Sequence, residues 1–262
     1  MVKVKSLKLA VVLAVFSVMA FAVTIPYIVE ITAPGIEEKG ISTSQLIAGS
    51  LFNMAISTFI FSFVGAKLAP QVHLNYGWIR ALVYRTEKPA WDYRGIELAI
   101  GWGVIGSALL VMIDQFVFSP LTKHLLISPE EIKIKWWMGL STILQGGVIE
   151  EISLRLGWMT IIVWGLFKLF VRHQSKVPAW MYWAGIVLAA LIFGAGHLGA
   201  AAGIYEALTP LVISRIIVIN SLLGIGFGYL YWKKGLEYAI IAHMTADFML
   251  HFVMNQIIYM LS

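Results

Sequence analysis

Long runs of apolar residues recur along nearly the whole chain, near residues 9 to 30, 43 to 66, 96 to 118, 137 to 166, 179 to 200, 209 to 232 and 236 to 261. Each holds about 20 or more mostly apolar residues, enough to cross a hydrocarbon core of about 30 Å as helix. The pattern predicts an all-α protein, a polytopic transmembrane bundle of about seven to eight helices forming a single membrane domain over 1–262. The fourth run is long for one crossing and holds Gly146, Gly147 and Gly157. It is expected to tilt, kink or break into two pieces, which is where an eighth segment arises.

Composition agrees with the pattern. Of 262 residues 60% are hydrophobic and 13% charged, with mean hydropathy +0.84, against about 45 to 50% apolar and about 25% charged in a soluble domain. The absence of cysteine excludes disulfides, thiolate metal sites and a cysteine nucleophile. Gly224, Gly226 and Gly228 lie inside an apolar run and follow no strand, so they predict close helix packing rather than a phosphate loop.

Lysine and arginine cluster on alternate connections: Lys3, Lys5 and Lys8; Lys67, Arg80, Arg85, Lys88 and Arg94; Lys168, Arg172 and Lys176; Lys233 and Lys234. The positive-inside rule then puts the amino terminus in the cytoplasm. The opposite loops carry Glu37, Glu38 and Lys39, then Lys123, Glu130, Glu131, Lys133 and Lys135, which weaken the asymmetry without reversing it. Lys3 to Lys8 ahead of Ala20-Phe21-Ala22 also resembles a secretory signal, and an uncleaved first helix is the expectation. The formal charge of +5 predicts contact with anionic lipid and no nucleic-acid partner. Segment 67 to 95, with Tyr76, Trp78, Tyr84, Trp91 and Tyr93 among its charges, is expected to lie along the headgroup interface.

Charges inside the runs are costly, so ionisable residues there are functional candidates. Three clusters stand out: Glu150-Glu151-Ile-Ser-Leu-Arg155, Phe193-Gly-Ala-Gly-His197 and His243-Met-Thr-Ala-Asp247. Positions four apart share a helix face, so Glu151 is expected to pair with Arg155 while Glu150 points elsewhere and serves as a base. His197 and His243, from different helices, can converge with Asp247, which lies one turn beyond His243, and with Glu150 on a site that activates water. Polar groups of this kind also simply hold helices together. Asp114, Arg215 and His251 are expected to be interhelical partners, interface anchors or lumen-lining groups, while His73, His124 and His173 are expected to be solvated loop residues.

The ordered set EExxxR, FxxxH and HxxxD, each within a hydrophobic helix, resembles the CPBP (Abi) family of intramembrane proteases, which includes the type II CAAX prenyl endopeptidases. The stretch Asn220-Ser-Leu-Leu-Gly224 through Gly228-Tyr-Leu-Tyr-Trp-Lys-Lys-Gly235-Leu-Glu-Tyr-Ala resembles the same family's approach to its last histidine. The resemblance covers about 137 to 250. It implies a catalytic helix core over 137–261, with 1–118 supplying accessory helices. It implies that Glu150 and His197 activate the attacking water, that His243 and Asp247 stabilise the oxyanion or complete the site, and that Glu151, Arg155 and Phe193 support them. Two departures stand against the family pattern: Leu154-Arg155-Leu156-Gly157 places the glycine one residue late, and Asp247 stands where CAAX-processing members have asparagine. A carboxylate repels an oxyanion unless it is protonated or bound to metal.

Two chemistries therefore stay open at this point: a metal-free glutamate mechanism, and a site in which His197, His243, Asp247 and Glu150 bind a divalent metal such as zinc. The expected substrate is a membrane-associated peptide or protein, which the CAAX branch implies is prenylated. A non-catalytic membrane interaction or immunity scaffold and a proton-coupled transporter are the competing readings, the transporter disfavoured because no internal repeat is visible. Residence is expected in the plasma membrane of a prokaryote, or in the endoplasmic reticulum otherwise. Counting about 1.5 Å per residue from the basic loops puts Glu150 and His197 about 27 Å deep but His243 only about 13 Å.

Overall fold

In a bilayer the backbone has no water to bond, so an apolar run must satisfy its own amides as helix. A computed structural model describes residues 2–37, 40, 42–127, 138–171, 173–174 and 176–254. Glu38, Lys39, Glu130, Glu131, Lys133, Lys135, Arg172 and the end of the seventh run lie outside the described residues.

The helices are α1 (Val2–Glu37), α2 (Thr43–Leu68), the short α3 (Gly77–Tyr84), α4 (Tyr93–Ile113), α5 (Met138–Phe170), α6 (Ala179–Gly196), α7 (Pro210–Lys233) and α8 (Leu236–Asp247). Among the described residues six segments are long and apolar enough to cross a membrane: Ser6–Glu30, Thr43–Val72, Tyr93–Leu125, Met138–Phe170, Ala179–Ala201 and Pro210–Lys233. The seventh run is also helical, with α8 continuing in wide turns to Met254. Glu237, His243, Asp247 and His251 dilute its apolar character. The molecule is an all-α bundle and a multi-pass integral membrane protein.

Local chemistry fixes where the helices start. Ser42 and Gln45 form a capping box at α2, with the Gln45 amide N–H donating to Ser42 Oγ and the Ser42 N–H to Gln45 Oε1. Asp92 accepts from the Gly95 N–H at α4, and Thr209 accepts from Val212 ahead of Pro210 at α7.

The fourth run does not break. α5 is ordinary helix at each end and opens into π turns over Gln145–Glu150 and Ile152–Met159. Neighbours press in where it widens. A Cβ on Gly146 would collide with the Asp247 carboxylate, and one on Gly157 with the Phe61 ring at 2.5 Å.

Lipid offers no hydrophobic drive between helices, so small residues and hydroxyls make the contacts. Gly65 of α2 lies against the Leu156 carbonyl of α5. Thr24 of α1 donates to the Ser141 carbonyl at 3.1 Å, and Ser221 of α7 to the Ala190 carbonyl of α6 at 2.9 Å. Gly226 sits under the Trp102 ring of α4, while Gly224 and Gly228 meet Ala190 and Ile186, as close packing requires. Ile152, Leu156, Met159, Ile186, Phe227 and Tyr231 are fully buried at the centre. Phe52, Ile105, Phe116 and Leu169 face outward, each more than two-thirds exposed to what is lipid in the membrane.

The basic connections come together at one end. Lys8 lies over the Tyr84 ring, Lys234 Nζ is 2.7 Å from Asp92, and Trp164 Nε1 donates to Gln71. At the other end Arg215 grips Asp114 with two nitrogens at 2.6 and 2.7 Å and reaches Thr122 Oγ1 at 3.2 Å. Of the roles expected for Asp114 and Arg215, the structure shows that of interhelical partners.

Candidate active site

The π stretch of α5 carries the first motif into the centre of the bundle. Glu151 and Arg155 are both fully buried and paired, with Arg155 Nε 3.1 Å from Glu151 Oε2. The other oxygen of Glu151 meets a second helix: Oε1 is 2.9 Å from His243 Nδ1. A carboxylate of a buried ion pair accepts, so Nδ1 carries the proton and the His243 ring is held in one orientation.

The opposite ring nitrogen faces two further carboxylates. His243 Nε2 lies 3.6 Å from Asp247 Oδ1, one turn along α8, and 3.9 Å from Glu150 Oε2. Both separations exceed a direct hydrogen bond and lie within ion-pair reach. Glu150 is the open member of the group, with its side chain 26% exposed against 0% for Glu151. Two adjacent glutamates therefore have different surroundings.

His197 caps the end of α6. Its Nδ1 is 2.9 Å from the Phe193 carbonyl, which accepts, leaving the Nε2 lone pair free to take a proton. The Phe193 ring touches both imidazoles edge-on, at 4.7 Å from His197 and 5.6 Å from His243. Glu150, Glu151, Arg155, His243 and Asp247 are brought together directly, and His197 joins them through Phe193. Among the described residues no set of three or more His, Asp and Glu side chains stands in an arrangement that holds a metal ion.

Several contributors are not legible in the motifs. Phe227 stacks on His243 at 4.4 Å and 18°, and the Arg155 guanidinium lies 6.0 Å from the same ring. The glycines beside Phe227 mark a crowded crossing, and this is the signal that points to it. Gly146 makes room for Asp247 and for His243 Nε2, which a Cβ would approach to 3.0 Å. Tyr27 of α1 lies within electrostatic reach of Asp247, and His251 within reach of His243 and His197. The first helix, α1, thus borders the site.

The expected mismatch in depth is not found, since Glu150 Oε2 and His243 Nε2 lie 3.9 Å apart. The α7–α8 turn is tied to the loop ahead of α3, with the Leu236 N–H donating to the Asn75 carbonyl at 3.0 Å. Wide turns advance less per residue than α-helix, so Glu150 is shallower along α5 than its residue count implies. Thr160 of α5 already stands level with Tyr231 of α7, their hydroxyls 3.0 Å apart.

Comparison with curated proteins and with solved structures gives no significant match. A family model does match, over residues 132–249, described as type II CAAX prenyl endopeptidase Rce1-like. That interval contains all three motifs and every side chain of the buried cluster, and over it the chain is similar to the Rce1-like CAAX endopeptidases, a family of intramembrane proteases.

Proposed function

We propose that this protein cleaves a peptide bond near the carboxyl terminus of a membrane-associated, prenylated CAAX substrate. The observation that carries the reading is the buried chain Arg155–Glu151–His243, with Glu150 and Asp247 on the far nitrogen of the ring. Packing side chains alone would not need five ionisable groups with one carboxylate left open.

Glu150 is the base. It takes a proton from a water molecule, whose oxygen attacks the scissile carbonyl carbon, and the proton is returned to the departing nitrogen as the C–N bond breaks. His197, with a free Nε2, orients the same water or relays its proton. His243, fixed by Glu151, presents Nε2 toward the oxygen that gains charge. Asp247 positions that ring rather than donating to the oxyanion, in keeping with its departure from asparagine. Arg155 balances Glu151 and so holds the carboxylate in place for His243. The amino terminus and the basic face are assigned to the cytoplasmic side, and the membrane is the plasma membrane if the source is prokaryotic.

The test is hydrolysis of a prenylated CAAX peptide beside unmodified hydrophobic peptides, by wild type, Glu150→Ala and His197→Ala, with and without a chelator. Prenyl-dependent cleavage lost in both variants and unchanged by chelator is the expected result. Cleavage that survives Glu150→Ala removes the proposed base, and absence of cleavage by folded wild type sinks the peptidase reading in favour of a scaffold.

A further inference from the structure

The basic face carries a formed pocket that the proposed chemistry does not use. It has a volume of ≈ 290 Å³ and is lined by Pro70, His73, Leu74, Asn75, Tyr76 and Arg80, near the lower end of what small-ligand sites occupy. Its walls are pinned from several sides. The Tyr76 hydroxyl donates to the Ala66 carbonyl at 3.0 Å, the Tyr182 hydroxyl to the Val72 carbonyl at 2.8 Å, and the Leu74 N–H to the Ala69 carbonyl at 3.0 Å. The Asn75 carbonyl is held by Leu236, and His73 keeps a left-handed backbone (φ 53) that only a fixed loop imposes on a non-glycine residue.

The lining holds a guanidinium and an imidazole and no carboxylate. Among the described residues Arg80 makes no ion pair, while Glu237, the carboxylate that acts on it electrostatically, accepts from the Ile79 N–H at 2.9 Å. Beside the pocket Trp78 and Trp91 stack at 4.0 Å, and Leu82, Trp91 and Tyr93 are 59%, 45% and 72% exposed. Exposed aromatics of this kind settle at the headgroup level of a bilayer, which sets the pocket at the depth of lipid phosphates.

We infer that this pocket binds the phosphate of an anionic phospholipid headgroup. The Arg80 fork supplies paired N–H donors and Asn75 and His73 supply the remainder. The site is independent of the peptidase reading and is read by binding rather than turnover.

The experiment is native mass spectrometry of the full-length protein released from nanodiscs containing equal phosphatidylglycerol and phosphatidylcholine. Wild type should retain phosphatidylglycerol with at least about tenfold preference, and Arg80→Gln should lose that preference, with His73→Gln weakening it. Lys88→Gln, outside the lining, should retain it, which separates a site from diffuse attraction to a basic face. Arg80 and His73 are exposed, so an unchanged unfolding midpoint shows that the variants fold. Equal retention by wild type and Arg80→Gln overturns the proposal. So does displacement of the bound lipid by millimolar inorganic phosphate, because the pocket would then be a free-phosphate site.

Discussion

Two arginine–carboxylate pairs lie inside this bundle, one between helices and one within α5, and they are built differently. Arg215 and Asp114 join α7 to α4 through two short contacts, with a third to Thr122 and the Tyr205 ring at 5.7 Å. Both side chains are slightly exposed, at 15% and 16%. Arg155 and Glu151 are wholly buried, yet they share one contact, because Glu151 gives its second oxygen to His243. The two terminal nitrogens of Arg155 have no hydrogen-bond partner among the described residues. A pair that only fastens helices uses every donor it can, whereas a pair that holds a third group must leave one of its own contacts unmade. Completeness of bonding thus separates the structural pair from the one that serves the site.

The largest effect that sharpens this contrast lies at Glu150. Glu150→Gln should lower peptide hydrolysis by about 10²–10⁴-fold while leaving the unfolding midpoint nearly unchanged, since the side chain is open and unpaired in any short contact. Glu151→Ala should both abolish detectable turnover and cost about 3–5 kcal/mol in micelle unfolding, because it strands a buried guanidinium. Gly146→Ala comes next: its methyl meets Asp247 and the His243 ring, an overpacking cost of about 1–3 kcal/mol, with cleavage reduced about tenfold or more.

Asp114→Asn should cost only about 1–2 kcal/mol and leave kcat/KM within about twofold of wild type. If unfolding penalties at Asp114 and Glu151 come out equal, the distinction between the pairs fails. The smallest effect belongs to Asp92, whose carboxyl is held below its ordinary value by the hydrogen bond from Lys234 and by the Gly95 N–H. A depressed carboxylate stabilises the fold above its unfolded value and loses that contribution as pH falls through the folded one. The difference between wild type and Asp92→Asn in melting should therefore be flat near neutrality and vanish only in acid.

Much of this was legible in the residues. Run lengths gave the helices, since a membrane demands about 20 apolar residues per crossing whatever the fold. The spacing of Glu151 and Arg155 gave their pairing, because i,i+4 contacts are local. The contact between Glu151 and His243 was not legible: it joins positions 92 apart in sequence and depends on how α5 and α8 cross. Phe227 escaped for the same reason. The offset in depth between Glu150 and His243 came from a uniform rise per residue, which the wide turns of α5 violate.

Those wide turns have a consequence for length as well as shape. A helix that fits more residues into each turn works like a vernier, letting the segment before Gln145 and the segment after Met159 each keep its own face toward its neighbours. Deleting one residue between them would turn one segment by about 100° against the other. Gly146 under Asp247 and Gly157 under Phe61 could not then both keep their seats. Around Glu150 the chain should accept exchanged side chains more readily than a changed count.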